Sequence, residues 1–257
     1  MQLGFVGTGH IASALVEGLA ETNPEDERVV VSPRGAAHAA RLAATYPQVQ
    51  VARDNQGVVN GSDVVFLCVR PPIARQVLAE LRFDAQQLLV SLVAVTPLAL
   101  VRELAAPATV VRAVPIPSAS RRLSPTGYYP PEPRAAALFN RVGTALPLDT
   151  ERQLSVIWAA TALISPAYAL ASVVSGWLSD EGVAGALAAQ FTVEQFRGVL
   201  ALVEPGDELQ LDRLAARAAT PGGLNEQALT LLREAGACDA VRQALDAVLQ
   251  RLLAAEI

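Results

Sequence analysis

The sequence predicts a two-part α/β protein: a doubly wound, mostly parallel sheet over residues 1–149, then an all-α domain over 150–257. Three observations carry that expectation. Short apolar runs alternate with helical patterns in the first part, a glycine turn opens it, and strand signals stop near Thr150.

The runs Gln2–Val6, Val29–Val31, Val64–Cys68, Leu88–Val93 and Val110–Val114 are rich in Val, Leu and Phe. Near-continuous apolar runs suit strands covered on both faces, as in a parallel sheet. Between them the patterns Ile11–Glu21, Ala36–Thr45, Ile73–Leu81 and Pro97–Leu104 predict crossover helices. Gly127–Tyr129 and Thr144–Leu148 are expected as edge strands around a helix at Arg134–Arg141. Beyond Thr150 the pattern is helical, interrupted at Pro166, Pro205-Gly206 and Pro221-Gly222-Gly223. Tyr168–Leu187 reads as one long helix, apolar around most of its circumference, which must be buried on several sides. A homodimer through the C-terminal helices, or a higher assembly, is the expectation.

Composition narrows the chemistry. With 52% apolar and 18% charged residues the chain is expected to pack as a globule, with some apolar surface against a second subunit. A net charge of -5 without a basic stripe argues against nucleic acid. All 20 basic residues are arginine. The absence of lysine excludes Schiff-base chemistry, a lysine acid and a Walker P-loop. His10 and His38 are the only histidines, so no metal site built from several imidazoles is expected. Cys68 and Cys238 lie in apolar runs and read as reduced, buried thiols. The start does not fit a signal peptide. The apolar stretch Ala159–Val174 is broken by Pro166 and falls short of the roughly 20 residues of a membrane span, so no membrane association and a cytoplasmic location are expected.

Gly7-Thr8-Gly9-His10-Ile11-Ala12 follows the first strand and enters a helix. Gly7 permits the tight turn, Gly9 lets backbone approach a pyrophosphate, and Ala12 lets helix and strand pack closely. The helix start at His10 and Ile11 offers free amides and a positive dipole end to phosphate. This is the pattern of a Rossmann dinucleotide site. The second strand ends in Ser32-Pro33-Arg34 rather than in an acidic residue. A hydroxyl and a guanidinium suit a 2′-phosphate, which favours NADP over NAD. Val69-Arg70-Pro71 follows the strand at Val64 and is expected to line the crevice, with Arg70 either touching phosphate or capping the next helix.

Taken together, the chain resembles the pyrroline-5-carboxylate reductase family nearly end to end. Gly4-Phe5-Val6-Gly7-Thr8-Gly9-His10-Ile11-Ala12 is similar to the family's Gly-Phe-Ile-Gly-x-Gly-Asn-Met-Ala, and Leu67-Cys68-Val69-Arg70-Pro71 to its Ala-Val-Lys-Pro turn. Val90-Ser91-Leu92-Val93-Ala94, Arg112-Ala113-Val114-Pro115, Ser165-Pro166-Ala167-Tyr168 and Thr220-Pro221-Gly222-Gly223 parallel further family segments. The resemblance implies a Rossmann domain, a helical dimerisation domain, an active site shared between them, and NAD(P)H-dependent reduction of a cyclic imine to make proline. Two segments depart from the family. Ile116-Pro117-Ser118 stands for Asn-Thr-Pro, and Leu224 and Asn225 stand for two threonines, one of which hydrogen-bonds the substrate nitrogen.

Thr220 reads as the N-cap of a helix with Pro221 in its first position, leaving the amides after Gly222 and Gly223 open to a substrate carboxylate. Asn225, Thr220 and Ser165 are the candidate catalytic residues, and Gly222, Gly223, Leu224 and Tyr168 the candidate substrate contacts. Glu226 adds a further polar group, while Thr161, Trp158 and Trp177 read as packing. An iminium arrives already protonated, whereas a ketone's developing alkoxide needs a proton donor that a lysine-free chain lacks, so C=N is favoured over C=O. Two alternatives stay open: an NADP-dependent oxidoreductase of another acceptor, a ketone or deazaflavin, and a non-catalytic cofactor-binding protein.

Overall fold

The computed structural model describes residues 1–22, 27–203 and 210–255; the expected interruption at Pro205-Gly206 lies outside them. The chain divides into two compact units, Met1–Ala159 with the chain's end from Leu249, and Ala160–Val248. The break falls ten residues after the expected 149/150 boundary, because the helix at Glu151–Ala160 groups with the sheet.

The first unit holds one eight-stranded sheet in the order β3-β2-β1-β4-β5-β6-β7-β8. Its strands are β1 (Gln2–Val6), β2 (Arg28–Val31), β3 (Val49–Val51), β4 (Val64–Leu67), β5 (Leu88–Ser91), β6 (Thr109–Val114), β7 (Ser124–Tyr129) and β8 (Gly143–Pro147). All pairs are parallel except β6 with β7. The helices are α1 (His10–Ala20), α2 (Ala36–Thr45), α3 (Asn55–Asn60), α4 (Pro71–Ala79), α5 (Leu98–Ala105), α6 (Pro133–Arg141) and α7 (Glu151–Ala160). The order of the first six strands is that of a dinucleotide-binding doubly wound fold. Sequence reading missed β3 and α3, three and six residues long, because neither is long enough to show a period.

Strand alternation sorts the core into two layers. Leu3, Phe5, Val31, Phe66 and Val90 pack under α1, α2 and α6 through Leu15, Leu42 and Phe139. Val6, Val65, Leu67 and Leu89 pack under α3, α4 and α5 through Val59, Leu78 and Val101. Phe5 and Phe66, paired across β1 and β4, stack with ring centroids 4.7 Å apart. Two arginines tie outlying helices to this core. Arg141 on α6 makes a two-pronged contact with buried Glu27 at 2.8 Å on each side. Arg112 on β6, fully buried, meets Glu151 of α7 at 2.5 Å and lies 5.5 Å from the Trp158 ring centroid.

The second unit is helical: a 3-10 turn Thr161–Leu163, then α8 (Ile164–Asp180), α9 (Gly185–Ala201), α10 (Leu211–Ala218), α11 (Leu224–Glu234) and most of α12 (Ala237–Ala255). Pro166 does not interrupt this stretch. It sits in the first turn of α8, where a missing N–H costs no intrahelical bond. The single long helix expected over Tyr168–Leu187 is instead two helices. Gly182, at φ 94°, ends α8 in a Schellman motif, with the Val183 amide on the Leu178 carbonyl at 3.0 Å and the Gly182 amide on the Ser179 carbonyl at 3.1 Å.

Among the described residues of α8–α12 only Ala188 and Thr192 are buried. Leu170, Val173 and Trp177, at positions i, i+3 and i+7 of one α8 face, are 53%, 68% and 60% exposed in the single chain. Trp177 therefore does not pack within its own chain as expected, and Cys238 is exposed rather than buried. By length and composition alone, the run Glu151–Asp180 is apolar enough to cross a membrane, an 18-residue stretch within it having mean hydropathy 1.6. Helices covered by a second subunit meet the same criterion.

Candidate functional site

The parallel order reverses between β1 and β4, so the crevice beyond their C-terminal ends is where a ligand of this fold sits. A cavity of about 400 Å³ lies there, lined by Gly7, Thr8, Gly9, Arg34, Gly35, Asn55, Cys68, Val69, Arg70, Ile73 and Val77. It lies wholly within the first unit.

Local geometry shows why this loop is built from glycine. Gly7 has φ 95°, and a Cβ there would lie 2.9 Å from the Cys68 carbonyl. A Cβ at Gly35, φ 85°, would lie 2.2 Å from the Thr8 carbonyl oxygen. At Gly9 a Cβ would meet nothing within 4 Å, so the N-cap of α1 opens on free space. A bare backbone at Gly9, with helix amides behind it, fits a pyrophosphate.

Ser32 corrects the sequence reading. It is fully buried, and its hydroxyl accepts from the Gly7 amide at 2.9 Å instead of facing the crevice. Thr8 donates to the Ser32 carbonyl at 2.8 Å, so both residues shape the loop from behind. Arg34 is exposed on the cavity wall, with no ion partner among the described residues. Arg70 is the N-cap residue of α4, without a side-chain cap bond, ahead of Pro71 and Pro72 in its first positions, and it also lines the cavity. Val69 lines the cavity as expected. His10 and Ile11 open α1 at its edge, and His10 meets His38 edge to face at 5.0 Å. Cys68 is half-buried on the cavity wall rather than buried as expected, and desolvation raises its thiol above the ordinary value. Asn55 and Gly35 were not anticipated. The signal for Asn55 was present in Asp54, whose side chain caps α3 by accepting from the Gly57 amide at 2.7 Å.

Val95, just past β5, holds φ 55°. That region is costly for a β-branched residue and marks stored strain at the crevice edge of the sheet.

In the second unit Thr220 is not an N-cap. Thr220-Pro221-Gly222-Gly223 is a β-turn closed by the Gly223 amide on the Thr220 carbonyl at 2.8 Å, with Gly222 at φ 70°. Gly223 is the N-cap, and α11 begins at Leu224. The glycine amides are not open either: Gly222 donates to the Glu226 carboxylate at 2.7 Å. The amides left for an anion are those of the helix's first turn, at Leu224, Asn225 and Glu226. Asn225 donates through Nδ2 to the Ala218 carbonyl at 3.0 Å, which leaves its second Nδ2 hydrogen and its amide oxygen as the remaining polar groups. Leu224 is 84% exposed, and Ser165 and Tyr168 are exposed near the start of α8. No hydrogen bond among the described residues joins Ser165 or Tyr168 to the 220–226 turn.

Comparison with known proteins places both halves. Residues 2–95 match the family model described as NADP oxidoreductase coenzyme F420-dependent, and residues 152–254 match pyrroline-5-carboxylate reductase dimerisation. A pyrroline-5-carboxylate reductase of Pseudomonas aeruginosa is 29% identical over 97% of this chain and 95% of its own. Two solved structures share the fold. The 1-pyrroline-5-carboxylate reductase of Streptococcus pyogenes has a TM-score of 0.83 at 20% identity, covering 100% of this chain and 98% of its own. The Plasmodium falciparum pyrroline carboxylate reductase, solved with NADP bound, has a TM-score of 0.82 at 18% identity with the same coverage.

Proposed function

Because the chain belongs to the pyrroline-5-carboxylate reductase family, we propose that it is an NADPH-dependent reductase of a cyclic imine carboxylate, with pyrroline-5-carboxylate as substrate and proline as product. The observation that carries this reading is the match to the Pseudomonas enzyme along 97% of the chain, with a glycine-built crevice at the switch point.

In this reading residues 1–149 hold the cofactor and residues 150–257 pair the subunits and bind substrate. Gly7, Gly9, His10 and Ile11 would take the pyrophosphate; Arg34 the 2′-phosphate; and Val69, Arg70 and Pro71 the opposite wall. Bound NADPH supplies the hydride. The chain's task is then to hold and orient, because a protonated C=N needs no strong acid. The Leu224 and Asn225 amides seat the substrate carboxylate, flanked by Gly222 and Gly223, while Ser165, Thr220, Tyr168 and the Asn225 side chain are its polar neighbours. The protein works as a homodimer through its C-terminal helices, in the cytoplasm. The apolar α8 face supports the pairing, since a single chain leaves it exposed.

One observation favours a second reading, an NADP-dependent reductase of another acceptor such as a ketone or deazaflavin. Leu224 and Asn225 replace two family threonines, and Asn225 already commits one of its two Nδ2 hydrogens to Ala218. Loss of NADPH absorbance on adding pyrroline-5-carboxylate supports the first reading. Turnover only with other imines, ketones or a deazaflavin supports the second.

A further inference from the structure

We propose that Arg53 joins Arg34 in a two-guanidinium clamp for the cofactor's 2′-phosphate, making Arg53 a determinant of NADPH over NADH; the inference rests on the cofactor reading above. Arg34 leaves the C-terminal end of β2 and Arg53 that of β3, neighbouring parallel strands paired as far as Val31 and Val51. Both side chains therefore reach the crevice edge of the sheet, where this fold takes its ligands. Both line one cavity of about 330 Å³, together with Pro33, Asp54, Asn55 and Gln56. That cavity shares Arg34, Asn55 and Val77 with the glycine-loop crevice, so the two spaces are continuous in their walls.

The charges on the cavity are disposed for an anion. Neither arginine has an ion partner among the described residues, and both are exposed. Two carboxylates share the wall, and neither pairs with Arg34 or Arg53: Asp54 accepts the Gly57 amide at 2.7 Å, and Glu80 accepts from Gln76 at 3.2 Å. The α2 helix begins beside Arg34, after the N-cap Gly35, with no acidic residue in its first turn. Its free amides add positive field at the same place. A phosphate monoester presents several acceptor oxygens, and each guanidinium can donate two parallel bonds to it. A ribose 2′-hydroxyl offers neither the charge nor the oxygens, so the pair discriminates.

The test is titration of the purified full chain with NADPH and with NADH, followed by nucleotide fluorescence, for the native protein, Arg53→Ala and Arg53→Lys. Arg53→Ala is expected to raise the NADPH Kd about tenfold while moving the NADH Kd less than about twofold, and Arg53→Lys to recover part of the loss by restoring charge without the fork. An unchanged NADPH-to-NADH ratio in Arg53→Ala, with NADPH still bound, overturns the clamp and leaves the cofactor reading standing. A native chain that binds neither nucleotide overturns both. Competition by adenosine 2′-phosphate against adenosine 5′-phosphate on the native protein gives a second readout that needs no variant: the 2′-isomer must compete more strongly, and equal competition counts against the clamp.

Discussion

The Gly7 amide donates to the Ser32 hydroxyl at 2.9 Å, tying the glycine loop after β1 to the end of β2 from a fully buried position. The bond fixes the loop from the core side and leaves its outer face bare. Ser32→Ala leaves that amide without its acceptor, at a cost of about 1–3 kcal/mol. Thermal or denaturant unfolding should show the loss, and NADPH affinity should fall with it. Unaltered stability and affinity would show that the loop holds its shape without Ser32.

Arg34 stands on the cavity wall without an ion partner among the described residues. Arg34→Asp replaces charge-assisted donors with a like charge against phosphate, and should weaken NADPH binding by roughly 1–3 kcal/mol. Calorimetric titration checks this. An affinity equal to the native one removes Arg34 from the site.

Arg112 is buried completely, and Glu151 is its carboxylate partner at 2.5 Å while also accepting the Leu98 amide at 2.7 Å. Glu151→Gln leaves a buried guanidinium short of charge compensation, with an expected loss of about 3 kcal/mol in urea unfolding. Trp158 emission should shift as well, because its ring lies against Arg112. A loss within the range of an exposed pair, below about 1 kcal/mol, would mean the contact does not hold α7 in place.

Much of the sheet was legible because its strands are continuous apolar runs covered on both faces, and the α2 bounds were read from pattern alone as Ala36–Thr45. What escaped was short or ambiguous. β3 and α3 are too brief for periodicity, and with them went Arg53 and Asn55. Ser32 reads the same in sequence whether its hydroxyl faces ligand or core, and only the backbone turn at Gly7 decides it. Thr220-Pro221-Gly222-Gly223 satisfies the rules for a capped helix and for a β-turn alike; the left-handed backbone of Gly222 selects the turn. In Tyr168–Leu187, hydrophobicity masked Gly182, the residue that ends α8.

Val95 carries a strain that glycine would not. Val95→Gly should raise stability by about 1 kcal/mol, the relief of the positive φ outweighing the added chain entropy. Differential scanning calorimetry measures it, and a lower Tm would show that contacts of the valine side chain matter more than its backbone.

The α8 face of Leu170, Val173 and Trp177 needs a cover that one chain does not provide. Trp177→Arg places a charge in that face and should weaken the proposed self-association, raising its dissociation constant at least about a hundredfold by sedimentation. A variant that sediments as the native protein does would put the subunit contact elsewhere.

The most decisive measurement is equilibrium titration of the native chain with NADPH. Saturable binding at one site per chain, tighter than for NADH, is the expected result. Failure to bind either nucleotide would contradict a cofactor crevice at Gly7 and Gly9, and with it the reductase reading.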